Sequence, residues 1–127
     1  MRTYIEVDLV IDATGRDPIG PATVTVEDNK IVAINEGKIA TEQGARVIDL
    51  PGCTLLPGYM DAHVHVTGIS SRGPVPPAPD VAYKTLGSVQ TALRHGVTTI
   101  RDVGSYHGVP VALRRAVARD QITGPRL

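Results

Sequence analysis

The chain has no tryptophan and no phenylalanine, so its core has to be assembled from valine, isoleucine, leucine and alanine. It has one cysteine, Cys53. No internal disulfide can form, and a reducing compartment, the cytoplasm, is expected. No partner base lies near Cys53 in sequence, so an inert, buried thiol is expected there rather than a nucleophile. Net charge is absent too, because 13 Lys and Arg balance 13 Asp and Glu. That balance removes the electrostatic argument for a nucleic-acid or anionic-membrane partner. No apolar run approaches the ~20 residues of a membrane-spanning helix. The stretch Met1-Arg2-Thr3-Tyr4-Ile5-Glu6 lacks the apolar segment of a secretion signal. What is present is 42% hydrophobic content in 127 residues, which suits a packed domain and argues against disorder.

Two halves differ in rhythm. Residues 1–57 read as short strands and turns. Ile5, Val7, Leu9 and Ile11 alternate with acidic residues, and Ala13-Thr14-Gly15 makes a turn. Thr23–Glu27 and Lys30–Ile34 form a hairpin across Asp28-Asn29, a pair that tolerates the positive φ such turns need. Val47–Leu50 and Thr54–Leu56 read as two further strands parted by Pro51-Gly52. A small antiparallel sheet or half-sandwich is expected, structural in role because it holds no cluster of ligand-type residues.

Residues 58–127 alternate strand and helix. A strand over Tyr59–Val66 leads into a Gly/Ser/Pro-rich loop, Thr67–Pro79, a possible lid. Asp80 is the expected N-cap of a helix ending near His95, with Gly96 just past its end. Ala82, Leu86, Val89 and Leu93 form its apolar face. Val97–Asp102 is a β-branched strand. Pro110 suits the first turn of a second helix, on which Arg114, Arg115 and Arg119 make a solvated face. Leu127 is placed to begin a third strand. Such βα units imply parallel strands, so the fold class is α/β.

The most informative segment is Asp61-Ala62-His63-Val64-His65. In an extended backbone, alternate side chains share a face, so Asp61, His63 and His65 fall together. Met60, Ala62, Val64 and Val66 fall on the other face, which is wholly apolar and is expected to lie under helices. Two neutral imidazoles converging from one strand face are suited to a metal ion. Taken alone, a His-x-His pair is equally at home on a surface or as a satisfied core pair.

The surrounding residues add a resemblance. Ile11-Asp12-Ala13-Thr14-Gly15, then Leu55-Leu56-Pro57-Gly58-Tyr59-Met60-Asp61-Ala62-His63-Val64-His65, then Gly96–Asp102 and Gly124-Pro125-Arg126, occur in the order of an amidohydrolase-superfamily metal-dependent hydrolase. The last two stretches look most like its imidazolonepropionase-like and Xaa-Pro-dipeptidase-like branch. The resemblance implies a (β/α)8 barrel together with a β-sandwich, in which 1–57 belong to the sandwich and 58–127 begin the barrel. It implies one or two divalent metals, usually zinc, with His63 and His65 as ligands from the first barrel strand. A complete barrel needs roughly 200 residues or more. Two βα units therefore read as the N-terminal portion of a larger enzyme. The resemblance places the catalytic base and the remaining ligands on later strands, so no catalytic residue is assigned within this chain.

Asp61 could orient a ligand by hydrogen bonding; the structural alternative, preferred here, is a buried ion pair with Arg101. Asp102 is read as a loop anchor. His107 is a candidate for substrate contact or an exposed loop residue. His95, in the last turn of its helix, complements the dipole. The expected function is hydrolysis of C–N bonds in a small amide, peptide or cyclic amide by metal-activated water. The alternatives are a truncated, non-catalytic module of the same fold and a deaminase of the same superfamily. The exposed edge of a two-strand parallel sheet calls for the rest of the barrel, another chain or self-association into an oligomer. No nucleic-acid or membrane partner is expected.

Overall fold

A computed structural model describes residues 1–68 and 73–127. The chain forms two compact units, Met1–Pro57 and Gly58–Leu127. The first is a four-stranded sheet of β1 (Arg2–Val10), β2 (Ala22–Glu27), β3 (Lys30–Glu36) and β4 (Arg46–Leu55), ordered β3-β2-β1-β4. The hairpin β2–β3 turns at Asp28-Asn29, and Asp28 takes φ 54°. Strand β1 is antiparallel to β2 but parallel to β4, so the sheet is mixed rather than antiparallel. The two short strands expected over 47–56 are one strand, β4. Its register against β1 slips between Leu50, opposite Val7, and Thr54, opposite Leu9. This irregularity accommodates Pro51, which has no N–H for the ladder. The Gly52 N–H released there donates to Asp8 Oδ2 at 3.0 Å. Cys53 lies in the same irregular stretch and is exposed, not buried.

Val7, Val10, Ala22 and Val24 form the core of this unit. Alternation assigns its other face to polar residues, yet Tyr4, Glu6, Thr23 and Thr25 are buried too. They pair across the strands as Glu6↔Thr23 and Tyr4↔Thr25. Thr23 Oγ1 donates to the Gly37 carbonyl at 2.8 Å, and Glu6 pairs with Lys38. Burial of Thr23 and Glu6 is tolerated because both are satisfied.

The second unit pairs β5 (Tyr59–Val64) with β6 (Val97–Asp102) in parallel. Helix α1 (Ala78–Arg94) connects them, and α2 (Val109–Ala118) follows β6. The N-cap of α1 is Pro77 rather than Asp80. Asp80 sits inside the first turn, where a carboxylate still complements the helix dipole. Gly96 follows the helix at φ +87°, and its N–H closes onto the Leu93 carbonyl. The buried stripe of α1 is Val81, Thr85 and Val89. Of the expected apolar face, Val89 is in the core and Ala82 and Leu86 pack against it; Thr85 is buried beside them, its hydroxyl donating to the Val81 carbonyl at 2.6 Å.

Val81, Val89, Ile100, Val109 and Leu113 make the core, and Val64 and Val66 pack against it. The apolar face of β5 is thus covered only over its second half, since Met60 stays 77% exposed. Arg126 bridges the outer side of β6, taking the Ile100 N–H on its carbonyl and donating its own N–H to Thr98. A third strand is therefore begun one residue earlier than expected. Among the described residues no helix is long and apolar enough to cross a membrane.

Candidate metal centre

The C-terminal ends of β5 and β6 carry the candidate site. His63 lies near the end of β5 and His65 just beyond it. Their rings stand 5.6 Å apart between centroids at an interplanar angle of 76°, so the two side chains project to the same side. His63 is exposed and His65 half-buried. His65 Nδ1 lies 2.5 Å from the Gly104 carbonyl oxygen in the loop after β6. A carbonyl only accepts, so Nδ1 carries the proton. In the neutral ring the lone pair is then on Nε2.

Asp102, the last residue of β6, organises this loop. Its Oδ1 accepts the Gly104 N–H at 3.0 Å. Its Oδ2 accepts the Val66 N–H at 2.9 Å and the Ser105 hydroxyl at 2.6 Å. Burial works to raise its pKa. The hydrogen bonds from Ser105, Val66 and Gly104, with the nearby His65 ring, outweigh that and hold it below the ordinary carboxylate value. Further links join the two loops: Val103 N–H to the Val64 carbonyl, and Tyr106 N–H to Thr67 Oγ1, both at 3.0 Å. The loop-anchoring role expected of Asp102 is what its contacts show.

Asp61 does not form a buried ion pair with Arg101. Both residues are exposed, and Asp61 Oδ1 instead accepts the backbone N–H of His63 at 3.1 Å. The close i+2 amide wins over a flexible guanidinium in water. His107 occupies a short 3₁₀ turn at φ 58°, and its Nε2 lies 3.0 Å from the Pro76 carbonyl. His95 sits at the end of α1 with Nδ1 2.8 Å from the Thr91 carbonyl, a helix-terminal role. Of the loop Thr67–Pro79, residues 69–72 lie outside the described residues. Among the described residues no third His, Cys, Asp or Glu joins His63 and His65. A cavity of about 360 Å³ borders His65 and is lined also by Lys84, Ser88 and Val89.

Sequence reasoning did not find the Gly104 carbonyl or the Ser105 hydroxyl. The carbonyl acts on His65 across 39 residues of chain, the hydroxyl on Asp102 from three residues away, and only the Gly and Ser after Asp102 hint at a loop built for close backbone approach.

The sequence and the fold are similar to those of known proteins. A curated enamidase from Eubacterium barkeri is 40% identical over 86 residues, 67% of this chain and 20% of that protein. A 5-methylthioadenosine/S-adenosylhomocysteine deaminase from Bacillus cereus is 32% identical over 72 residues, 56% of this chain and 17% of that protein. A crystal structure of a Xaa-Pro dipeptidase with methionine in its active site superposes with a TM-score of 0.88 at 28% identity. It covers 99% of this chain and 32% of the dipeptidase. The chain thus spans about a fifth of the enamidase and about a third of the dipeptidase. These relatives are C–N hydrolases and deaminases, and members of the superfamily are generally metal-dependent. The model of the amidohydrolase family matches residues 54–127, more than half of the sequence and the whole of the β5–α2 unit, and the chain belongs to that family.

Proposed function

We propose that this chain is the part of a metal-dependent amidohydrolase that supplies the first two histidine ligands, and that the whole protein hydrolyses C–N bonds in a small amide, peptide or cyclic amide. The observation that carries this reading is the pairing of His63 and His65: rings 5.6 Å apart, on one side of β5, with His65 Nδ1 held by a backbone carbonyl. His63 and His65 would be the two residues of this chain to hold such an ion, neutral imidazole being a donor that zinc takes. An outer hydrogen bond that fixes a ligand tautomer is the usual companion of metal-binding histidine. When bound, zinc or a similar divalent ion supplies Lewis acidity to a carbonyl and acidifies water. This chain's own part is to hold two imidazoles, with Asp61 steadying the His63 backbone and His107 near the substrate. In this reading residues 1–57 belong to a β-sandwich and 58–127 begin a (β/α)8 barrel, and a reducing, cytoplasmic setting suits the lone thiol.

A zinc site with three protein ligands and a water needs one more donor, and hydrolysis needs a base. Both would come from residues outside these 127, on the same polypeptide or on an associated chain. Deamination is the second reading, favoured by the likeness to the deaminase, because an amine leaving group is chosen by residues beyond the first two strands.

The test is zinc binding by the 127-residue chain and its variants, with hydrolysis assayed on N-acyl amino acids and Xaa-Pro dipeptides. His63→Ala and His65→Ala are each expected to lower zinc affinity at least tenfold, and the chain alone to show no turnover. Unchanged affinity in both variants, or robust turnover by the chain that survives His63→Ala, refutes the assignment.

A further inference from the structure

We infer that Asp102 is a positioning residue for His65, acting through the Gly104 carbonyl. The inference rests on the metal-ligand reading for its importance, but its geometry stands by itself. Left to itself, an imidazole is free to place its proton on either nitrogen, and the neighbouring acceptor decides which. Here that acceptor is the Gly104 carbonyl, 2.5 Å from Nδ1. The carbonyl's direction depends on the backbone of Gly104, which lies at φ +146°, a conformation open to glycine and rare for other residues. Such a backbone needs an external hold. Asp102 provides one at 3.0 Å from the Gly104 N–H.

The same carboxylate takes the Val66 N–H, one residue past His65, and the Ser105 hydroxyl, one residue past Gly104. Its two oxygens therefore grip both loops at the positions that flank the histidine–carbonyl contact. A neutral amide could not do this. It offers one acceptor oxygen and sets an N–H against one of the three donors. Asp102 thus determines which nitrogen of His65 is left with a lone pair, without touching the ring's nitrogens itself.

The experiment is long-range ¹H–¹⁵N correlation of the histidine rings in the metal-free full chain, at a pH above the ordinary imidazole value of about 6.5. Wild type, Asp102→Asn and Ser105→Ala are compared, with the Val89 and Leu113 amide signals reporting the fold. In wild type the His65 proton is expected on Nδ1. In Asp102→Asn the Nδ1–H to Nε2–H ratio is expected to fall at least threefold while the core signals and the His63 ring stay unchanged. Ser105→Ala, which removes one of three donors, is expected to move the ratio the same way by less. A zinc titration of the same proteins is expected to show a roughly tenfold loss for Asp102→Asn.

If the folded Asp102→Asn chain keeps its His65 proton on Nδ1, the inference is overturned. If that variant does not fold, Ser105→Ala decides, and an unshifted ratio there overturns it equally. A shifted ratio in a chain that holds no zinc even as wild type supports the positioning role and refutes the metal reading instead.

Discussion

Replacing Gly58 by alanine probes the packing that sets β5 against β6. A Cβ built on Gly58 falls 2.2 Å from both Cγ2 and Oγ1 of Thr98, and 2.7 Å from Thr98 Cβ. Rotating Thr98 can move its methyl and hydroxyl away. It cannot move Cβ, which is fixed to the β6 backbone. Part of the clash therefore survives every rotamer, and the strands must separate at the first rung of their ladder, where the Tyr59 N–H donates to the Gly96 carbonyl at 2.8 Å. Overpacking of this kind typically costs about 1–3 kcal/mol, and an unrelieved backbone-borne contact puts Gly58→Ala near the top of that range. That is a large share of the about 5–15 kcal/mol of a typical domain. The same structure dictates the rescue. Thr98→Ala keeps the 2.7 Å contact and helps little, whereas Thr98→Gly removes it. Urea unfolding of the wild type, both single variants and the Gly58→Ala/Thr98→Gly pair gives the coupling energy, expected at about 1–3 kcal/mol and of rescuing sign. A Gly58→Ala loss under about 0.5 kcal/mol, or a double variant that is simply additive, would refute the reasoning.

Val89→Ala should destabilise the Gly58–Leu127 unit by about 2 kcal/mol, since Val89 is 2% exposed in its core and two carbons of transfer free energy plus a cavity are lost; urea unfolding followed on that unit checks it. Asp12 is held at a pKa of about 2, against the ordinary 3.8, first by the Thr14 hydroxyl, then by the Thr14 N–H and Arg16. Its stabilising contribution is complete above about pH 3.8 and is lost as pH falls through about 2. The ¹³C carboxyl shift of Asp12 should therefore titrate near 2 and move upward in Thr14→Ala. Asp28→Asn and Asp49→Asn should leave zinc content unchanged, because their partners are the N-terminal amine and Lys38 within the first unit. Loss of zinc in either variant, by elemental analysis, would mean that unit is misread.

What the sequence revealed was local. The extended segment around His63 and His65 and the glycine after α1 both depend on near neighbours, and each is where the pattern put it. What it hid was non-local. The parallel union of β1 with β4 joins Thr3 to Arg46, a pairing no hydropathy pattern announces. Pro51-Gly52 looked like a break between strands because the Asp8 carboxylate that satisfies Gly52 is 44 residues away. Cys53 is exposed because β4 is the edge strand of its sheet and is exposed along almost its whole length, and an edge position is set by strand pairing rather than by the residues around the thiol.

The two sides of β5 divide stability from chemistry. On one side Val64 and Val66 join the Val81–Val89–Ile100 core, whose apolar burial supplies the free energy that holds the unit. On the other side Asp61 and His63 are exposed and contribute little to that core. Between the sides, at the strand ends, the hold is polar: Asp102 and the carbonyls of Val64 and Gly104 tie one loop to the other. Polar ties of this sort add only about 1 kcal/mol each, but they are directional, whereas apolar burial is not. A ligand pair needs direction more than strength, because two imidazoles must meet one ion within a few tenths of an ångström. The physical consequence is separability. Truncating Val89 should lower stability and leave the His65 tautomer in place, while truncating His63 should lower zinc affinity and leave stability in place. A chain in which both changes moved both readouts together would mean that core and site are one network, and that the strand ends are not held independently of the core beneath them.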